Sequence, residues 1–409
     1  MFVSIDCTIS LAPAQQSKGS VFSFPRFHKA YLACRKRKRT SDQAATFEAH
    51  LEEELIRLET ELHNRTWQPS PSTAFVVAKP KIREIFAAPF RDRVVHHLLY
   101  NQLSPVWERQ FIHDSYACRL GKGTHAASIV RLPRFLRQAT RNGRRRAFCL
   151  QADIQSFFTS IDHAILYGLI ARQVRHPDIQ WLARTIIFHD AAADHRKQGD
   201  LRLFDSVPQE KSLLHAPKGK GLPIGNITSQ FFANVYLNEL DQFVKHTLKA
   251  RYYIRYVDDF VLLHEEAAIL NRWRQQIAEF LYEHLALTLH PHKQRIFPVT
   301  QGIDFLGYVV FLDHIASRQR VVRALKNKLW AFNRRIRSLD IDHPTVLWTP
   351  ELCQEFRHIF AAVNSYYGLF THANTFRLRR HIYEEHFGVL QAYLEPADKR
   401  YSRFLWKDG

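Results

Sequence analysis

The chain has 409 residues, 46% hydrophobic and 13% aromatic, which is enough for two or three domains with buried cores. Its 58 Lys plus Arg against 39 Asp plus Glu leave a formal charge of +19, an excess that gathers polyanions and points to nucleic acid. No apolar run approaches the roughly 18 residues of a spanning helix, and the basic clusters RKRKR (35–39), RRR (144–146) and RLRR (377–380) are dispersed, which suits a long groove better than a membrane surface. No membrane partner is expected.

Five cysteines, Cys7, Cys34, Cys118, Cys149 and Cys353, lie far apart without a CxxC pair. That argues against a zinc ribbon or disulfide framework and fits a reducing compartment. The opening MFVSIDCTISLAPA carries Asp6 and no basic start, unlike a secretory signal. The chain therefore reads as cytoplasmic.

In chain order, residues 1–23 have weak periodicity and read as a loosely ordered arm. A helix is predicted in TFEAHLEEELIRLETELHNR, where Phe47, Leu51, Leu55, Leu58 and Leu62 recur at three and four residues. Short strands follow in TAFVVAKPKIREIFAAP, then a helix in RDRVVHHLLYNQLSPVWERQF. RRRAFCLQADIQSFFTSID turns apolar at Ala147 and reads as a buried strand ending near Asp153, then a turn and a helix. A polar, Gly/Pro-bearing stretch from about 189 to 224 leads into the helical NITSQFFANVYLNELDQFVKHTL. YYIRYVDDFVLLHE (252–265) reads as a strand pair with Asp258 and Asp259 at its turn. From about 320 the pattern is helical to the end. Helices, then a mixed region, then helices give an α+β chain.

Two carboxylates inside an apolar stretch need neutralising. A hairpin turn could solvate them, but Asp153 ends a separate apolar strand. Strand-end carboxylates that meet could hold two magnesium ions for in-line nucleotidyl transfer. HDAAADH (189–195) lacks a third matching ligand, and the adjacent His96 and His97 point to different helix faces, so neither forms a metal site.

YVDD between apolar strands, ADIQSFF before it and DFLGYVV (304–310) after it resemble the palm of a reverse transcriptase. KPKIREI (79–85), DSYACRLGKGTHAA (114–127) and GLPIGNITSQ (221–230) fall in that family's order. The resemblance implies a right-hand polymerase. Its parts would be an arm (1–23), fingers with part of the palm (24–147), palm with a finger-side insertion (148–310) and a helical thumb (311–409).

The same resemblance makes Asp153, Asp258 and Asp259 catalytic and gives the ligands of two Mg2+ ions as these residues with Ile154. Lys79 and Arg83 would embrace the incoming dNTP. Phe158, or its neighbour Phe157, would exclude a ribose 2′-hydroxyl. Gly225 would let the backbone approach the nucleotide, with Ile224 and Gln230 beside it, and Lys293 would protonate the pyrophosphate. On the thumb, Arg323, Lys326, Arg334, Arg335 and Arg337 would track the RNA template and its DNA or RNA primer.

Group II intron and retroviral reverse transcriptases usually have Gln before the glycine matching Gly225 and Ser-Pro at the end of the motif, whereas Ile224 and Ser229-Gln230 stand here. That departure resembles the prokaryotic reverse transcriptases of diversity-generating retroelements, which copy a template-repeat RNA with errors at adenines and work with a small basic accessory protein. Some phage-defence reverse transcriptases share similar substitutions, and a non-catalytic RNA-binding descendant is the other alternative.

Overall fold

A computed structural model describes residues 20–36, 41–79, 81–338 and 349–407. The expected arm lies outside the described residues except for 20–23. In that stub Phe22 is fully buried, edge-on to His63 and Trp181, so this residue is part of the core rather than loose.

The chain divides into two compact units. The first comprises residues 1–123, 150–262 and 268–296. Its long predicted helix is broken: helices Asp42–Ala49 and Leu51–His63 meet at His50, whose φ of −125° and ψ of 36° leave the helical region. The break frees Phe47 to pack against Phe90 and Tyr31. Leu55, Leu58 and Leu62 still form one buried stripe, and Glu52, Glu53 and Glu54 suit the positive helix N-terminus.

Strands Ser72–Val77 and Arg83–Ala87 form the expected antiparallel hairpin, with Val77 opposite Arg83. His195–Lys197 adds in parallel along Ser72–Ala74. Helix Ile227–Gln242 is buried on nearly all faces, from Thr228 to Asp241, and is the central helix of this unit. A four-stranded sheet runs in the order Tyr252–Tyr256, Asp259–His264, Phe148–Asp153, Arg295–Pro298. Phe260 to Leu263 are all buried, the pattern of a strand covered on both faces.

The second unit comprises residues 124–149, 263–267 and 297–409. A three-stranded antiparallel sheet (Ile303–Phe305, Tyr308–Val310, Ile315–Ser317) precedes helices Gln319–Arg337, Pro350–Phe370 and Phe376–His386. Val322, Leu325, Leu329, Phe332 and Ile336 face a core shared with Phe356, Tyr367 and Phe387. The end of the chain corrects the all-helical expectation: Leu394–Pro396 pairs antiparallel with Phe404–Trp406. Phe404 holds that hairpin down, with its ring 4.7 Å from Tyr367 and 4.6 Å from Phe387, and both its backbone groups bonded to the Asn364 amide.

Candidate active site

Strands Tyr252–Tyr256 and Asp259–His264 are joined by only Val257 and Asp258. Such a tight loop needs a positive φ that glycine usually supplies. Here Val257 takes φ +55°, a strain on the order of 1–2 kcal/mol for a residue with a Cβ. Asp258 follows at the tip, and Asp259 opens the second strand.

Asp153 ends its strand against this tip. The Ile154 N–H donates to the Asp258 carbonyl at 3.2 Å. On the other side, His290 N–H donates to the Asp153 carbonyl at 2.8 Å and Gln155 N–H to Thr288 at 2.9 Å, forming an antiparallel bridge between Ile154 and Leu289. In that pattern the N–H and carbonyl of Ile154 both face the hairpin tip. The Ile154 side chain is buried, so only its carbonyl could serve a metal.

The Asp258 carboxyl is pushed up to about 6, first by burial and next by the charge of Asp153, while Lys293 and Arg83 pull it down. Lys293 Nζ lies 3.0 Å from Asp153 Oδ2. Two facing acids flanked by two cations are thus gathered from four separate chain segments. Among the described residues no three His, Cys, Asp or Glu side chains are grouped closely enough to hold a metal ion by themselves. Two hard carboxylate oxygens and an adjacent carbonyl fit magnesium, which fills its shell with water and substrate phosphate.

Around this pair, strand alternation turns Arg83 outward and Glu84 inward. Lys79 is exposed in the connection between the two hairpin strands. Phe157 is a core ring at 2% exposure, whereas Phe158 is only partly buried and stands edge-on to it at 5.5 Å. Of the two, Phe158 is the ring with surface to offer.

The loop 221–226 is fixed by strand Arg83–Ala87 and the residue after it. Ile224 carbonyl accepts from Phe86 N–H at 2.8 Å, and Asn226 Oδ1 accepts from Ala88 N–H at 3.1 Å. Gly225 has φ +138°, and a Cβ there would lie 2.8 Å from the Phe86 carbonyl oxygen. Its glycine is therefore demanded by the neighbouring strand, a reason different from close approach to a nucleotide. Gln230 is half-buried in the first turn of the central helix.

In the second unit, helix Gln319–Arg337 buries one stripe and exposes Arg323, Trp330, Arg334 and Arg337 along the opposite one. The Arg334 guanidinium lies over the Trp330 ring at 5.4 Å. Arg335 turns aside to pair with Glu355 at 2.9 Å, and Lys326 is half-buried.

Sequence reasoning misses the supports. Glu84, 4% exposed, accepts from Ser212 Oγ and Leu213 N–H and ties residues 212–213 to the Ser72–Ala87 hairpin. Arg255 and Asp241 form an ion pair with no solvent exposure. An arginine inside YYIRYVDD does signal a buried partner, but nothing in the sequence names Asp241. His96, by contrast, is a core histidine, pushed down to about 3 by burial and bonded through Nδ1 to Thr228 Oγ1.

A reverse transcriptase (RNA-dependent DNA polymerase) family profile matches residues 72–310. Protein YkfC of Escherichia coli K12 is 27% identical over 297 residues, covering 64% of this chain and 72% of YkfC. The group II intron-encoded protein LtrA of Lactococcus lactis is 21% identical over 349 residues, 69% of this chain and 54% of LtrA, so the chain spans about half of that relative. Among solved structures, apo telomerase from Candida tropicalis aligns with TM-score 0.43 and 11% identity over 61% of this chain and 56% of that one. With the profile spanning more than half the chain, over an α+β fold that carries YVDD at a hairpin tip beside Asp153, the chain belongs to the reverse transcriptase (RNA-dependent DNA polymerase) family.

Proposed function

We propose that the chain is an RNA-directed DNA polymerase that extends a DNA or RNA primer on an RNA template. The observation that carries this reading is the facing pair Asp153 and Asp258, strained together at two strand ends with Lys293 and Arg83 beside them. A non-catalytic RNA binder gains nothing from repelling acids in a basic protein.

Magnesium ions held by Asp153, Asp258, Asp259 and the Ile154 carbonyl would activate the primer 3′-hydroxyl and neutralise the triphosphate. The remaining work falls to the protein. Arg83, with Lys79 from the hairpin connection, clamps the triphosphate by charge and hydrogen bonds. Lys293 is a cation able to give a proton to the departing pyrophosphate. Phe158 supplies bulk against a 2′-hydroxyl and so favours dNTPs. Ile224, Gly225 and Gln230 line the nucleotide side of their loop.

In this reading residues 24–147 are fingers with part of the palm, 148–310 palm with a finger-side insertion, and 311–409 thumb. Arg323, Arg334 and Arg337, with Lys326 and Arg335 to a lesser degree, hold the phosphate backbone of the template and primer.

The more specific role is the error-prone enzyme of a diversity-generating retroelement, acting in a prokaryotic cytoplasm with a small basic accessory protein. Ile224 supports it, because an apolar side chain cannot hydrogen-bond the sugar or base and loosens selection. Extension of an RNA-templated primer with magnesium and dNTPs, with products sequenced, tests both levels. Errors concentrated opposite template adenines support the retroelement role; extension with evenly spread errors favours the phage-defence alternative, and no extension in any condition rejects the polymerase.

A further inference from the structure

The residue before the Asp258 tip is a valine in a left-handed backbone conformation, and something must hold it there. Directly beneath lies Arg255, fully buried, with all five of its N–H groups engaged. Nε donates to Asp241 Oδ1 at 2.7 Å and Nη2 to Asp241 Oδ2 at 2.6 Å, a two-pronged fork. Nη2 also donates to Ser115 Oγ at 3.1 Å, and Nη1 to Asn234 Oδ1 at 3.3 Å. The remaining Nη1 bond, at 3.0 Å, goes to the carbonyl of Val257.

That carbonyl belongs to the peptide linking Val257 to Asp258. Fixing its plane fixes the direction in which the Asp258 Cα–Cβ bond leaves the turn. On the other side of Asp258, its own carbonyl accepts from Ile154 N–H. Asp258 is therefore bracketed by two pinned peptides, one tied to the Asp153 strand and one to the guanidinium. The anchor is rigid in turn: Asp241 sits on the central helix and also accepts from Tyr253 Oη at 2.8 Å, and Asn234 donates to Ala117 carbonyl at 2.8 Å. The backbone of Arg255 bonds residues 114 and 116 as well.

We propose that Arg255 and Asp241 form a buried brace that aims the Asp258 carboxylate by holding the strained Val257–Asp258 peptide. They are positioning residues; neither touches the reacting atoms. The guanidinium fork is what the job needs, since lysine would keep the charge but could not reach Asp241 twice and Val257 at once.

The proposal rests on the polymerase reading, so the test carries one readout independent of activity. In Arg255→Lys, hydrogen–deuterium exchange of the 252–264 segment is expected to rise at the turn amides while exchange elsewhere and the far-ultraviolet circular dichroism stay at wild-type levels. In single-turnover primer extension the same variant is expected to lose about 10–100-fold in maximal rate, with dNTP half-saturation within about twofold. Val257→Gly, which relieves the strain, is expected to recover part of the rate when combined with Arg255→Lys. Should Arg255→Lys fail to fold, Tyr253→Phe removes one support of Asp241 and is expected to give a smaller change of the same kind. Unchanged exchange at the turn, or a loss confined to dNTP affinity, overturns the brace. Absence of extension by the wild-type protein overturns the polymerase reading alone, and the exchange result still decides the brace.

Discussion

The Lys293 ammonium stands 3.0 Å from Oδ2 of Asp153, so the chain places one of its own cations beside a carboxylate that faces the Asp258 tip. The same lysine pulls the Asp258 carboxyl down, against burial and Asp153. Lys293→Ala should therefore move the acid limb of the extension profile to higher pH than wild type. It should also slow extension at least about tenfold through loss of a proton donor. A pH–rate profile of both proteins checks this; coincident acid limbs contradict it.

Asp258 has its carboxyl at about 6 in the fold against an ordinary 3.8. Between those values the folded chain binds more proton than the unfolded one. The group's contribution to stability is thus fully present below pH 3.8 and is lost as pH rises through about 6. At pH 8 in EDTA, Asp258→Asn should be more stable than wild type in urea unfolding, by up to about 3 kcal/mol. Adding magnesium should narrow that gap by stabilising wild type. A variant no more stable than wild type shows that the acid pair stores no such repulsion.

Gly225→Ala puts a Cβ 2.8 Å from the Phe86 carbonyl oxygen, in a backbone region that favours glycine. The cost should be on the order of 1–3 kcal/mol, seen as a lower Tm, with extension impaired because the loop bearing Ile224 must shift. An unchanged Tm contradicts the close approach.

On helix Gln319–Arg337 the charges separate into two kinds. Arg323, Arg334 and Arg337 are exposed beside Trp330, whereas Arg335 pairs with Glu355. Alanine at each of the first three should weaken binding to a template–primer and reduce the log–log salt slope by about 0.7–0.9. Arg335→Ala should change the slope less. Fluorescence anisotropy across a salt series decides, and equal effects at all four positions contradict the division.

The sequence made the site legible where function places an unusual residue in an ordinary setting. Asp258 inside an apolar strand pair and Asp153 at the end of another are visible because a buried charge conflicts with its surroundings. The strand ending at Asp153 and the Ser72–Ala87 hairpin are equally readable from their apolar runs. The break at His50 was not, because Leu55, Leu58 and Leu62 keep the helical spacing after it, and the spacing of apolar residues carries no record of a single non-helical residue. The terminal hairpin was hidden because Phe404 is bound by long-range packing on Tyr367 and Phe387. The Arg255–Asp241 pair illustrates the same limit: Arg255 is conspicuous, but its partner is chosen by the fold. Gly225 is conspicuous within its motif, but its close packing on the Phe86 backbone is set by a strand distant in sequence.

The most direct test of the central claim is magnesium-dependent primer extension on an RNA template by the wild-type chain beside Asp153→Ala and Asp258→Ala. The account predicts dNTP incorporation by wild type that both substitutions abolish, with the two variants still folded and still binding the template–primer. Full magnesium-dependent extension by either variant would contradict it.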